Sequence, residues 1–141
     1  MKKIRVAING FGRIGRTIAR LLAEDEQIEL VAVNDLHQAD VLAHLLKYDS
    51  THGKSNLDFK LEGSKLHFGT QSIVFLNERQ VDQLPWKSLG VDIVLDCTGK
   101  FKTKEELNPH LLAGAQKVIL SSPPSDKSIK TLVLGVNEHI I

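Results

Sequence analysis

The residues best suited to chemistry stand near the start of the chain: Gly10, Gly12 and Gly15, in the run Gly10-Phe11-Gly12-Arg13-Ile14-Gly15. The pattern GxGxxG carries meaning only between a strand and a helix, and both flanks are present. Lys3 is followed by IRVAI, a short run rich in β-branched residues that suits an interior parallel strand, with Arg5 requiring an exit to solvent or a partner. Beyond the glycines, Ile14, Ile18, Leu21 and Leu22 recur at helical spacing, with Arg16, Arg20 and Glu24 mostly on other faces. In that setting Gly10 permits a tight turn. Gly12 lets the backbone approach a pyrophosphate with no Cβ in the way, and Gly15 allows close helix–strand packing. The free N–H groups and the positive end of the helix dipole then face the phosphates. The spacing predicts a dinucleotide site, against a structural glycine turn or another nucleotide site. Arg13 is read as screening the pyrophosphate, making a subunit contact or standing exposed. Phe11 lies beside the cofactor or packs under the turn, and Asn9 braces the loop.

Asp35 is the second informative residue. The apolar run Ile28 to Val33 predicts a strand that ends at Asn34-Asp35. A carboxylate there, a little beyond the usual spacing of about 20 residues, can accept bonds from both hydroxyls of an adenosine ribose. A 2′-phosphate would meet like charge, with no arginine immediately following, so NAD is favoured over NADP. The competing role is a helix cap. Thr98-Gly99 and Ser121-Ser122 each follow a later strand at the same carboxyl edge, where open α/β sheets hold ligands. Gly99 allows close approach to the ribose–phosphate part of the cofactor and Phe101 walls its nicotinamide side, with a plain turn as the alternative. Glu78-Arg79 either flanks adenine or forms an exposed ion pair.

The remaining reactive side chains point to no further chemistry. Cys97, the single cysteine, sits at a strand end where a small buried hydrophobe is common, and no neighbour identifies a base for it. It excludes an internal disulfide and favours a reducing compartment. His44 and His52 lack metal-site spacing, while His37, His67, His110 and His139 are dispersed, so no metal site is expected. His110 after Pro109 and His139 after Glu138 read as exposed. The acidic residues form no general-acid pair, and Lys100, Lys102 and Lys104 read as a solvated loop and helix start.

These groups need a scaffold. Helical spacing at Val41, Leu42, Leu45 and Leu46 predicts a second helix, followed by a polar loop over Asp49 to Asn56. Alternation at Leu57, Phe59, Leu61, then Leu66 and Phe68, with turns at Gly63-Ser64 and Gly69-Thr70 and a run from Ile73 to Leu76, predicts a small antiparallel excursion near residues 57–76. Parallel character returns at Val91 to Leu95, a helix is expected over Thr103 to Leu112, and Val118 to Leu120 and Leu132 to Val136 read as short strands. Pro109 is expected in the first turn of a helix beginning near Asn108. The fold class is α/β, a Rossmann-like, mostly parallel twisted sheet flanked by helices.

Length and charge agree with one such domain. The chain has 141 residues, 42% hydrophobic and 25% charged, which suits a single globular core. Its formal charge of +1 gives no general case for a nucleic-acid or anionic-membrane partner. The N-terminus lacks the apolar region of a signal peptide, and no stretch approaches a membrane span. The abrupt apolar end at Ile141 suggests part of a longer protein.

Several segments together resemble the phosphorylating glyceraldehyde-3-phosphate dehydrogenase family. They are RVAINGFGRIGR at 5–16, AVNDL at 32–36, AHLLKYDSTHG at 43–53, LPW at 84–86, CTGKF at 97–101 and LGVNE at 134–138. The similarity covers essentially the whole chain but only the amino-terminal, NAD-binding portion of the usual family protein. The resemblance implies that Asn9, Gly10, Phe11, Gly12, Arg13 and Ile14 form the cofactor loop. Asn34 and Asp35 meet the adenosine end and Arg79 lies near the adenine. Thr98, Gly99 and Phe101 approach the cofactor's middle and nicotinamide side, Ser121 lies near the same crevice, and Asn137 belongs to the closing strand–loop region. It also implies a cytoplasmic homo-oligomer, a tetramer in the full enzyme, that converts an aldehyde phosphate, inorganic phosphate and NAD to an acyl phosphate and NADH. The family's route is thiolate addition to the carbonyl, hydride transfer to NAD, then phosphate attack on the thioester. Its catalytic cysteine lies in an SNASCTTN-like segment absent here, and Cys97 does not match it. Residues 1–141 are therefore expected to be an incomplete NAD-binding domain without normal turnover. Erythrose-4-phosphate dehydrogenase stays open as a neighbour, because LNERQ lacks the common RDP continuation after the glutamate. A non-catalytic nucleotide-binding regulatory module is the other alternative.

Overall fold

A computed structural model describes residues 2–141. Its centre is a seven-stranded sheet whose parallel part is built by apolar runs. These are β1 (Ile4–Asn9), β2 (Ile28–Asn34), β7 (Gln71–Leu76), β8 (Ile93–Asp96) and β9 (Lys117–Leu120). The hairpin strands β5 (Phe59–Glu62) and β6 (Lys65–Phe68) extend one side, giving the order β5-β6-β7-β2-β1-β8-β9. Pairing among β7, β2, β1, β8 and β9 is parallel, whereas β5–β6 and β6–β7 are antiparallel. Three helices cross between strands: α1 (Arg13–Leu22), α2 (Ala39–Lys47) and α3 (Lys104–Leu112).

The strand alternation in β1 separates two cores. Val6 and Ile8 join a cluster with Leu30, Val33, Ala19 of α1, Leu42 and Leu46 of α2, and Leu66 and Phe68 of the hairpin. Ala7 points the other way, to Val31, Ala32, Val94 and Trp86. Val31 and Ala32 share that second face because the register slips there: Val6 pairs with Leu30, but Ala7 pairs with Ala32. An extra residue in one strand is a bulge, and it resets the alternation. β7 pairs with β2 only from Ala32 onward, so the earlier backbone of β2 needs other partners. The buried amide of Gln71 provides them, accepting from the Leu30 N–H at 3.0 Å and donating to the Ile28 carbonyl at 3.3 Å.

Several expectations are corrected. The buried stripe of α1 is Gly15 and Ala19, flanked by Ile18 and Leu22, while Ile14 and Leu21 are 53% and 73% exposed. Two small residues let the helix axis approach β1, which turns the larger ones outward. The loop over 49–56 holds a two-residue ladder, β3 (Tyr48–Asp49) with β4 (Gly53–Lys54). Pro109 lies inside α3 rather than in the first turn of a helix near Asn108. The helix starts earlier because Thr103 and Glu106 form a reciprocal capping box, and it runs past the proline to a bond from the Ala113 N–H to the Pro109 carbonyl at 2.9 Å. Leu132 to Val136 forms turns, not a strand. Its Val136 and Asn137 N–H groups bond back to the Val133 carbonyl, and no ladder joins it to the β9 edge.

Candidate functional site: the carboxyl edge of the parallel strands

β2, β1 and β8 end side by side on Asn34, Asn9 and Asp96, all buried. Buried polar groups must be partnered, and these partner one another. Asn9 donates from Nδ2 to Asp96 Oδ2 at 2.9 Å and accepts at Oδ1 from Asn34 Nδ2 at 2.8 Å. Asn34 also donates to the Glu78 carbonyl at 2.9 Å and accepts from the Glu78 N–H at 2.8 Å, tying in the loop after β7. Asp96 Oδ1 accepts from the Thr98 hydroxyl at 2.7 Å and from its N–H at 3.2 Å. The three strand ends and the two loops above them are thus one bonded unit.

His110 completes this unit, contrary to the expectation that it is exposed. It is fully buried, with Nε2 3.2 Å from Asp96 Oδ2 and Nδ1 accepting from Trp86 Nε1 at 3.0 Å. An indole N–H can only donate, so Nδ1 is unprotonated and Nε2 carries the ring proton toward Asp96. Burial would raise the Asp96 carboxyl, but donors from His110, Asn9 and Thr98 outweigh it and hold it below its ordinary value. Sequence spacing held the signal: Leu107 and His110 are neighbours on the inner face of α3, and buried Trp86 requires an acceptor.

Above this edge opens a cleft of about 460 Å³ lined by the glycine turn on one side and the Thr98 loop on the other. Gly10 has φ +89°, and a Cβ there would stand 2.7 Å from the Thr98 nitrogen and 2.8 Å from its Cα. Only glycine fits, for both backbone angle and space. A Cβ on Gly15 would collide with the Gly10 carbonyl, so the helix start and the turn are packed backbone on backbone. Gly12 is the N-cap of α1 with no side-chain cap, and a Cβ there would meet nothing within 4 Å. The first N–H groups of a helix lack intrahelical acceptors, so the turn presents an uncapped, unobstructed helix start.

Asp35 faces it. Its Oδ2 accepts from the Phe11 N–H at 2.7 Å and its Oδ1 from the His37 N–H at 2.9 Å. Burial pushes this carboxyl up, yet the bonds from His37 and Phe11 prevail and leave it below its usual value, hence ionised at neutral pH. Arg79, Thr98 and Phe101 also line the cleft.

The structure places the other predicted residues less directly. Phe11 has its ring in the core, edge-on to Phe75 at 5.8 Å between centroids, so only its backbone belongs to the turn. Arg13 and Ile14 are exposed at the start of α1, outside the cleft walls. Gly99 has φ +69° beside the cleft, with open space where a Cβ would stand. Ser121 is exposed beyond β9, and Asn137 braces the C-terminal turn through Val133 and Thr131; neither lines the cleft. Cys97 lines it, but burial pushes its thiol up, which disfavours a thiolate. His37, Leu36 and Lys100 are lining residues that the sequence did not single out. Among the described residues no cluster of metal-ligating side chains occurs and no helix is long and apolar enough to cross a membrane.

Residues 4–104 match the family model described as glyceraldehyde 3-phosphate dehydrogenase, NAD binding domain. The chain is 47% identical over 140 residues to the glyceraldehyde-3-phosphate dehydrogenase of Mycoplasma pneumoniae, covering 99% of the chain and 42% of that protein. It is 47% identical over 135 residues to the enzyme of the same name from Chlamydia pneumoniae, covering 95% and 40%. The chain therefore spans about two-fifths of the length of these curated relatives.

Proposed function

The chain belongs to the glyceraldehyde-3-phosphate dehydrogenase family through its NAD-binding domain, and from that premise we propose that the cleft between the glycine turn and the Thr98 loop holds NAD. The observation that carries this is the convergence of an uncapped helix start at Gly12 with an ionised Asp35 across one cleft. The residues fit the cofactor's chemistry. The backbone N–H groups at Gly12, Arg13 and Ile14 meet the linked phosphates, and Asp35 accepts from the adenosine ribose. Arg79 stands at the adenine end, and Thr98, Gly99 and Phe101 flank the nicotinamide side. Asn9, Asn34 and Asp96 act beneath them as positioning residues. By the family resemblance Ser121 lies near the same crevice and Asn137 belongs to the closing segment of the domain.

When bound, NAD supplies the hydride acceptor of the reaction. In the parent protein that reaction is the oxidation of an aldehyde phosphate with inorganic phosphate to an acyl phosphate, carried out by a cytoplasmic homotetramer. Residues 1–141 form an incomplete NAD-binding domain of that enzyme, which binds cofactor without normal turnover. Calorimetric titration of the chain with NAD and NADP tests the reading. NAD should bind more tightly than NADP, and Asp35→Ala should weaken NAD by about tenfold, the loss of one charge-assisted pair of bonds. A folded chain that binds neither dinucleotide would overturn it.

A further inference from the structure

His37 lines the cleft with its side chain against Asp35. The His37 ring Nδ1 lies 2.7 Å from Asp35 Oδ1, the oxygen that already accepts the His37 N–H. Asp35 Oδ2 holds the Phe11 N–H. An ionised carboxylate offers about four lone-pair sites and no proton of its own. The His37 Nδ1 therefore carries the proton, and three sites are filled. Two ribose hydroxyls require two sites, and one is open. Both backbone donors sit in turns fixed by β1 and β2, whereas the imidazole is 77% exposed. The ring is the donor that can leave.

Resting on the NAD assignment, we propose that His37 is a specificity-determining residue. Its ring gives up Asp35 to the ribose diol of NAD, and in its protonated form it stands where it neutralises a 2′-phosphate, so acidification narrows the preference for NAD over NADP.

Several charged groups surround His37. Asp35 is its partner and stays ionised. Asp40 lies in the first turn of α2, Glu78 and Arg79 reach the cleft from the loop after β7, and Lys100 reaches it from the loop after β8. Carboxylates, arginine and lysine keep their charge between about pH 5 and pH 8, the range in which histidine ordinarily titrates. The 2′-phosphate of NADP also gains a proton near pH 6. In free NADP that gain is common to every form of the protein and cancels when variants are compared.

Dissociation constants for NAD and NADP should be measured at about pH 5.5 and about pH 8 for the unaltered chain, His37→Ala and His37→Gln. On acidification the ratio of the NADP to the NAD constant should fall about three- to fivefold further in the unaltered chain than in either variant, the scale of one exposed ion pair. At the acid pH, His37→Ala should also bind NAD more tightly than the unaltered chain. Equal pH dependence in all three forms would overturn the proposal while leaving the NAD assignment in place. Failure of NAD to bind any form at either pH would overturn both.

Discussion

The sheet has two halves that use the same backbone differently. In the parallel half, β2, β1 and β8 end in Asn34, Asn9 and Asp96, buried and bonded side chain to side chain. In the antiparallel half, β5 and β6 pair Phe59 with Phe68 and Leu61 with Leu66 on the inner face, while Lys60, Glu62, Lys65 and His67 face solvent. Parallel strands deliver their carboxyl ends and the following loops to one edge, so polar groups accumulate there and can satisfy one another. Antiparallel strands alternate direction and share no such edge. They contribute apolar area to the core under α1 and α2. Affinity for a ligand should therefore depend on the parallel half, and stability on both.

The substitution that most strongly tests this division is Gly15→Ala. The new methyl would meet the Gly10 carbonyl and stand 3.1 Å from Ile8 Cγ2, so the turn or the helix must shift. Overpacking against backbone should cost about 3 kcal/mol or more, read as a lower urea midpoint, and NAD affinity should fall at least about tenfold as the helix start moves out of line. An unchanged affinity would detach the turn from the binding site.

A matched pair comes next. Leu66→Ala, in the antiparallel half, and His110→Ala, beneath the parallel edge, should each cost about 3 kcal/mol. The first leaves a cavity, and the second leaves the buried Trp86 N–H without an acceptor and takes one of its donors from the Asp96 carboxylate, which keeps Asn9 and Thr98. Measured where both variants remain folded, Leu66→Ala should bind NAD as the unaltered chain does. His110→Ala should bind more weakly, because Asp96 then holds Thr98 less firmly. Equal affinities would show that the buried unit under the cleft serves stability alone.

The pH dependence of stability sharpens the same contrast. Asp96 has a folded-state pKa below its unfolded value of about 3.9. Its contribution is therefore fully present above that pH and is lost as the pH falls below it toward the folded-state value. Urea midpoints taken between about pH 5 and pH 2 should decline less steeply in Asp96→Asn than in the unaltered chain. A parallel decline would mean that the unfolded chain holds this carboxyl in the same ionisation.

Much of the parallel half was legible in the sequence because it is written in local terms. IRVAI, Ile28 to Val33 and Val91 to Leu95 are apolar runs between breakers, and the glycines mark where Cβ atoms cannot go. Asp35 at a strand end follows from the same logic. What stayed hidden depends on distant residues. His110 looked exposed beside Pro109, because its partners Trp86 and Asp96 come from other segments. Leu132 to Val136 looked like a strand because apolarity was visible and the lack of a ladder partner was not. Leu21 fitted a helical stripe, but Gly15 and Ala19 decide which face meets the sheet. His37 appeared as one dispersed histidine until its turn folded it back onto Asp35.

The smallest effect should come from a glycine that resembles the others only in its backbone angle. Gly63 turns the β5–β6 hairpin at φ +59°, and a Cβ there would meet nothing within 4 Å. Gly63→Ala therefore incurs the left-handed conformational cost without a collision, about 1 kcal/mol. The urea midpoint should drop slightly and the NAD dissociation constant should stay unchanged. Gly10 has the same sign of φ but lies against the Thr98 backbone, so the gap between Gly63→Ala and Gly10→Ala isolates close packing from backbone strain. If the two variants lost equal stability, the contact between the glycine turn and the Thr98 loop would contribute nothing beyond the turn's own conformation.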